Sequence, residues 1–290
     1  MKLLLIGSSV IDYIHVNNKV TVKPGGVFYS AYGLSTIQNE IDDLYLLTNC
    51  NSNDFYMYKD VYKFFNLSLS NYVDILPAIH LFLHKDKERT ECYQNITEEL
   101  MLNHLIDFEI FDAIYINMIT GFDISIEVLE YIRQNFSKTI YIDIHSLARG
   151  LEKNNMRNFR KIPNIDRWLK CIDIIQVNET EFKMLSLEKE KKKILEQIFN
   201  FEVNAVIITK AEKGIEGYLK VHNTIRLFDI PALKIKQLNS VGCGDIFGSM
   251  FFYSYISTSD FEKSLIFANK SAGIFSSCKD IYEFKIGEQL

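Results

Sequence analysis

Short, nearly unbroken apolar runs alternate along the chain with longer stretches in which apolar residues recur at helical spacing. The runs are Lys2–Ile6, Leu44–Thr48, Ala113–Asn117, Thr139–Ile144, Asp173–Val177 and Ala205–Thr209, rich in Ile, Val, Leu and Tyr. A strand that is apolar at nearly every position has both of its faces covered. The helical stretches span about 27–38, 54–66, 123–135, 180–199, 243–256 and 259–277. This alternation predicts an α/β fold, a three-layer α/β/α sandwich whose mostly parallel central sheet carries helices on both sides. Ligands of such sheets sit beyond the carboxyl ends of the strands.

Two segments interrupt the rhythm. Residues 13–24 and 79–95 read as short extended pieces around polar turns. In the second, Leu81-Phe82-Leu83-His84 and Thr90-Glu91-Cys92-Tyr93 flank the charged turn Lys85-Asp86-Lys87-Glu88-Arg89, the pattern of a hairpin standing off the main sheet. Paired together, the two pieces would form a small β-lid over the active face. The lysine-rich stretch Glu188 to Lys193 reads as a solvated helix face.

Composition narrows the class. With four prolines and thirteen glycines in 290 residues there is no Pro- or Gly-rich linker, so one domain over 1–290 is expected. Hydrophobic content of 48% against 24% charged residues suits a globular protein with a substantial core. A net charge of −5 and the lack of a basic stripe argue against nucleic-acid binding. The apolar start Leu3-Leu4-Leu5-Ile6 is short, has no cleavage-site pattern and runs into Asp12, so it reads as a buried strand rather than a leader. No apolar stretch approaches the ~20 residues of a membrane helix. Five scattered cysteines without a C-x-x-C pair suggest neither a disulfide framework nor a zinc site. A reducing compartment, the cytoplasm, is the expected location.

The chemistry concentrates at a few points. In Gly242-Cys243-Gly244-Asp245, two glycines open an apolar helix. Unpaired N–H groups and the helix dipole there favour negative charge, such as a phosphoryl group in transfer. Asp245 at the same helix start is placed to take the proton of an attacking hydroxyl. The plainer alternative is a glycine turn capped by an aspartate. Asn178 and Glu181 follow an apolar strand and are three residues apart. They can face one side to organise magnesium, directly or through its waters, or they can form an ordinary capping box. Gly25-Gly26 before the helix at Val27 would let a sugar-sized ligand approach the backbone, and Asp12 could accept hydrogen bonds from its hydroxyls. As structure alone, the glycines read as a turn and Asp12 as a cap.

In these features the sequence resembles the ribokinase family of carbohydrate and nucleoside kinases, also called the PfkB family. The likeness runs in order through nearly the whole chain. It includes Ile6-Gly7 with Ile11-Asp12, Gly25-Gly26, Asp143-Ile144-His145-Ser146-Leu147-Ala148-Arg149, Asn178-Glu179-Thr180-Glu181, Val206 to Gly214, Gly242 to Asp245, and Phe267-Ala268-Asn269-Lys270-Ser271-Ala272. The resemblance implies ATP as phosphoryl donor, magnesium as cofactor, and an alcohol of a sugar, nucleoside or related polyol as acceptor. It further implies Asp245 as catalytic base, with the N–H groups of Gly242, Cys243 and Gly244 as an anion hole. Asn178 and Glu181 would serve magnesium and phosphates, Thr209 and Gly214 would lie near the nucleotide, and Asn269 near adenine. Asp12, Gly25, Gly26 and Ser30 would face the acceptor.

Several positions depart from the family pattern. Asn239 stands where an aspartate is usual and makes activation by a monovalent cation doubtful. Cys243 replaces an alanine, Ala211 a glycine, and Ser30 the asparagine of many sugar kinases. The segment 13–24 is shorter than the equivalent lid piece of long-lidded members, which suggests that a second subunit covers its apolar surface in a homodimer. The departures keep open a second class of function, a catalytically weak or inactive sensor that retains the fold to bind a ligand. A dinucleotide-dependent oxidoreductase is disfavoured because no G-x-G-x-x-G follows the first strand.

Overall fold

The computed structural model describes residues 1–83, 89–102, 106–222 and 224–286. Most of the expected turn, Lys85-Asp86-Lys87-Glu88, therefore lies outside the described residues. The chain begins with β1 (Lys2–Ile6), the antiparallel pair β2 (Ser9–Val16) and β3 (Lys19–Gly26), and helix α1 (Val27–Ile37). Next come β4 (Asp43–Leu47), the two-residue strand β5 (Asn49–Cys50), the single turn α2 (Lys59–Tyr62) and β6 (Asn71–Tyr72). After them stand β7 (Ala78–Phe82), β8 (Thr90–Gln94), β9 (Ala113–Asn117), α3 (Ile126–Gln134) and β10 (Thr139–Asp143). The middle holds β11 (Arg149–Leu151), β12 (Arg157–Phe159), α4 (Ile165–Leu169), β13 (Ile174–Asn178), α5 (Glu179–Met184) and α6 (Lys191–Phe199). The C-terminal part is β14 (Ala205–Thr209), β15 (Ile215–Val221), β16 (Thr224–Ile230), α7 (Cys243–Thr258) and α8 (Phe261–Ser276).

The main sheet has eight strands in the order β16-β15-β14-β13-β10-β9-β1-β4. The six from β14 to β4 are parallel, and β15 and β16 add an antiparallel edge. Because side chains alternate across a strand, β1 sends Leu3 and Leu5 to one core and Leu4 and Ile6 to the other. The first core contains Phe28 of α1, Phe247 and Phe251 of α7 and Leu265 of α8; the second contains Leu129, Trp168 and Ile198. Helix α7 packs on both α1 and α8, which explains why it is apolar nearly all round. Phe251 is fully buried against Phe247, Tyr255 and Phe261, so truncating it to alanine costs about 3–5 kcal/mol.

A separate four-stranded sheet, β3-β2-β7-β8, stands apart from the main one. Val10, Asp12, Ile79, Leu81, Glu91 and Tyr93 are buried on its inner side. Tyr13, His15, Val20, Val22, His80 and Phe82 alternate with these and lie on the other face. There Tyr13 stacks on His80 at 4.7 Å and His15 on Phe82 at 4.4 Å.

The elements differ from the sequence expectations in instructive ways. The extended piece expected over 13–24 is a full hairpin from Ser9 to Gly26, and Gly25 and Gly26 end β3 while Gly26 also stands as the N-cap of α1. The helix expected over 180–199 is two, α5 and α6, because the capping box at Asn178 starts one helix and Ser186 turns the chain before Lys191. The helix expected over 54–66 is reduced to a 3-10 turn and the four-residue α2. Strands β15 and β16 are not anticipated by the apolar pattern. Thr224, Arg226 and Asp229 of β16 are exposed at the sheet edge, so the segment lacks the continuous apolar signal of a covered strand.

Candidate active site

The carboxyl ends of β9, β10 and β13, the start of α7 and the inner side of the small sheet converge on one group of polar residues. Gly242 holds α7 at its N-cap with φ 82, a conformation that favours glycine. Space demands glycine there as well, since a Cβ would lie 2.4 Å from the Tyr29 ring. The turn before it is made by Asn239, whose Oδ1 accepts the Val241 N–H at 3.0 Å. The N–H groups of Cys243 and Gly244 therefore open α7 without intrahelical acceptors. Gly244 is exposed and meets no neighbour closer than 4.0 Å at its Cβ position.

Asp245 sits in this first turn. Its Oδ1 accepts the amide N–H of Asn117, from the end of β9, at 2.6 Å. Burial pushes its carboxyl up, while His145, the Asn117 hydrogen bond and Arg89 hold it down. Opposite, Asp12 projects from the inner side of β2. Burial pushes the Asp12 carboxyl up to about 7 against the pull of Arg89, with Asp245 and Glu91 adding to the rise. Gly25 is required beneath it, because a Cβ there would meet the Asp12 carboxyl at 2.2 Å. Gly26, with φ 66, brings its Cα close to the Ser8 carbonyl.

The site also contains residues that motif reading did not assign. Arg89 donates from Nε to Glu91 Oε1 at 2.8 Å and approaches His145 Nε2 at 3.3 Å. Burial disfavours the charged guanidinium, but Glu91 outweighs it and raises Arg89; the same pair brings Glu91 to about 2 despite its burial. His145 adopts φ 30, with its backbone N–H on Asp143 Oδ1 at 3.2 Å. Burial opposes the charged imidazole and Glu181, 3.7 Å away, overrides it, so His145 is raised. Asp143 is pushed well above the carboxylate range by burial, and Gln176 Nε2 bridges its Oδ2 at 2.6 Å and the Gly244 carbonyl at 3.0 Å.

The capping-box reading of Asn178 and Glu181 is realised, and both side chains take part in it. Asn178 Oδ1 accepts the N–H groups of Thr180 and Glu181 as a true capping box, which leaves that oxygen committed to α5 rather than to a metal. Glu181 Oε2 accepts the Asn178 N–H at 2.8 Å, while its buried Oε1 has no hydrogen-bond partner among the described residues and faces His145 Nδ1 at 3.7 Å as an ion pair. A buried carboxylate oxygen left unsatisfied, beside the polar ends of the strands, fits a magnesium ion that keeps several waters. Of the two expected ligands, Glu181 fits that role through Oε1, while the Oδ1 of Asn178 is engaged by α5.

The remaining expected residues are placed as follows. Thr209 ends β14 and faces Asn178 in register, with its hydroxyl 3.4 Å from the Val177 carbonyl. Gly214, φ 96, closes the tight turn into β15, where a Cβ would lie 2.1 Å from the Ile230 carbonyl oxygen. Asn269 donates its amide to the Pro231 carbonyl at 2.8 Å. Ser30 is fully buried in α1, where its hydroxyl accepts from Asn117 Nδ2 at 2.8 Å and donates to the Tyr115 phenol at 3.3 Å. Asn117 is likewise fully buried and its Oδ1 has no hydrogen-bond partner among the described residues, a cost of about 1–3 kcal/mol.

Comparison with known proteins agrees with this geometry. The chain belongs to the pfkB family of carbohydrate kinases, whose family model matches residues 95–283. Its fold is that of solved ribokinase-family structures. A pyrophosphate-dependent kinase of the ribokinase family, in complex with sulfate, shares 14% identity over 98% of this chain and 99% of its own, with a TM-score of 0.78. The nucleoside kinase of Methanocaldococcus jannaschii shares 19% over 98% and 94%, with a TM-score of 0.71. The ribokinase of Arabidopsis thaliana, solved with ribose and ATP, shares 15% over 98% and 95%, with a TM-score of 0.72. No curated protein matches the chain. No helix among the described residues is long and apolar enough to cross a membrane.

Proposed function

We propose that the protein is an ATP- and magnesium-dependent kinase that transfers the γ-phosphoryl group to a hydroxyl of a sugar, nucleoside or related polyol. The observation that supports this most is the position of Asp245: a carboxylate in the first turn of a glycine-opened helix, beside free N–H groups and facing a second buried carboxylate, Asp12. Asp12 accepts hydrogen bonds from acceptor hydroxyls that approach over Gly25 and Gly26. Asp245 takes the proton of the attacking hydroxyl, and the N–H groups at Gly242, Cys243 and Gly244 stabilise the charge on the transferred group. Thr209, Gly214 and Asn269 border the donor. Magnesium, held by Glu181 through Oε1 or a water on it, would neutralise donor phosphates. The small sheet serves as the lid, with its core in residues 13–24 and 79–95.

Assembly and location belong to the same reading. The outer face of the lid bears half-exposed Val20 and Val22, and a second copy packed there would make a homodimer. Five free cysteines suit the cytoplasm. The alternative of a non-catalytic sensor is not favoured, because Asp245 and Glu181 are both kept.

The test is turnover of a panel of sugars, nucleosides and polyols with ATP and magnesium. Pyrophosphate belongs beside ATP in that panel, since the amide of Asn269 is engaged by Pro231 and one structural relative is pyrophosphate-dependent. Asp245→Asn should lower kcat by about 100- to 10,000-fold while acceptor binding persists. Full rate in that variant, or no turnover of any panel member, refutes the reading.

A further inference from the structure

We infer that Asn117 is the positioning residue of the catalytic base: its amide fixes one oxygen of the Asp245 carboxylate and keeps that group ionised for proton abstraction. The inference rests on Asp245 being the base. It begins from a path of hydrogen bonds that joins residues far apart in sequence. The Ser30 hydroxyl donates to the Tyr115 phenol at 3.3 Å, Asn117 Nδ2 donates to the same serine oxygen at 2.8 Å, and Nδ2 also donates to Asp245 Oδ1 at 2.6 Å.

The orientation of the amide follows from its partners. Ser30 has spent its proton on Tyr115 and an ionised Asp245 has none, so both neighbours of this end of Asn117 are acceptors and the NH2 group must face them. Turning the amide over would set oxygen against oxygen. The remaining Oδ1 of Asn117 is buried with no hydrogen-bond partner among the described residues, an unfavourable arrangement that folding alone gives no reason to keep. With Asp245 Oδ1 committed, proton acceptance from a substrate hydroxyl falls to Oδ2.

The surroundings make this donor consequential. Asp12 and Asp143, both shifted toward their protonated forms by burial, would repel Asp245 when ionised, Arg89 and His145 attract it, and Tyr29, Tyr115, Tyr141 and Cys243 are neutral groups within its field. Arg89 and His145 are tied to Glu91 and Glu181. Asn117 is the neighbour that holds Asp245 by a direct side-chain hydrogen bond without bringing a charge.

The experiment compares Asn117→Ala and the near-isosteric Asn117→Asp with the unaltered protein, after melting curves show that each is folded. Steady-state kinetics over pH 5–9 on the acceptor found by the panel should show kcat reduced about 10- to 100-fold in Asn117→Ala, with acceptor KM within about twofold. The acid limb of kcat should move up by about one pH unit, and further in Asn117→Asp, where a carboxylate replaces the donor. Carbon-13 NMR titration of the Asp245 carboxyl, assigned with Asp245→Asn, reads the same change without turnover. A titration that moves up in a protein that phosphorylates nothing supports the positioning role while removing the kinase reading. An unmoved acid limb and an unmoved carboxyl titration in both variants overturn the inference, as does an effect confined to KM.

Discussion

Asp12 and Gly25 lie so close across the β2–β3 hairpin that a Cβ on residue 25 would stand 2.2 Å from the Asp12 carboxyl. The glycine is therefore the floor on which the Asp12 carboxylate rests. The obstacle to a larger residue is the far end of one side chain, and that end can rotate. Gly25→Ala should thus leave the fold intact and turn Asp12 out of the site. The expected result is an acceptor KM raised about tenfold or more with a smaller change in kcat, checked by steady-state kinetics alongside a melting curve.

Asp12 also couples the site to stability. Its folded carboxyl titrates at about 7, above the unfolded value of 3.8, so between those values the folded state binds more protons than the unfolded one. Stability from this group is full below about pH 4 and is lost as pH rises through 7. Asp12→Asn removes the cost of ionising a buried group and should stabilise the protein at pH 8 by about 1–4 kcal/mol, because each tenfold change in proton affinity is worth roughly 1.4 kcal/mol. The gain should shrink toward pH 5, as urea melts at the two pH values would show.

Ala211 sits at φ 49 in the turn between β14 and β15, a left-handed conformation that costs an L-residue about 1–2 kcal/mol. Glycine relieves that strain and returns part of it as greater freedom of the unfolded chain. Ala211→Gly should raise stability by about 0.5–1 kcal/mol, measured by urea unfolding.

Val20 and Val22 are 53% and 49% exposed on the outer face of the lid. If that face joins two copies, the double variant Val20→Lys, Val22→Lys should be monomeric where the unaltered protein is a dimer by light scattering. A monomer in both cases removes the proposed dimer.

Legibility in the sequence tracked how local each signal was. Lys2–Ile6, Ala113–Asn117 and Ala205–Thr209 were readable to the residue, because a strand covered on both faces has to be apolar throughout. Strand β16 was missed because its exposed Thr224, Arg226 and Asp229 hide the pattern. Glu181 and Asp245 stand out in the sequence because each sits in the first turn of a helix beside a recognisable turn, and Asp12 because it is the one carboxylate in an apolar stretch. Asn117, Gln176 and His145 give no such signal, being single polar residues at the end of β9, within β13 and just past β10.

The sequence by itself determined the α/β class, the order of the main strands, and the glycine-opened helix with Asp245 in its first turn. These follow from periodicity and backbone freedom, which act over a few residues. Tertiary structure alone decided what each polar group does. It spent Asn178 on a cap, set Glu181 Oε1 against His145 without a hydrogen bond, buried Ser30 behind Asn117, and brought Arg89 to His145. The bond from Asn117 to Asp245 spans 128 positions. Hydrogen bonds and burial act over a few ångströms in space, whatever the separation along the chain, so no local pattern could announce them.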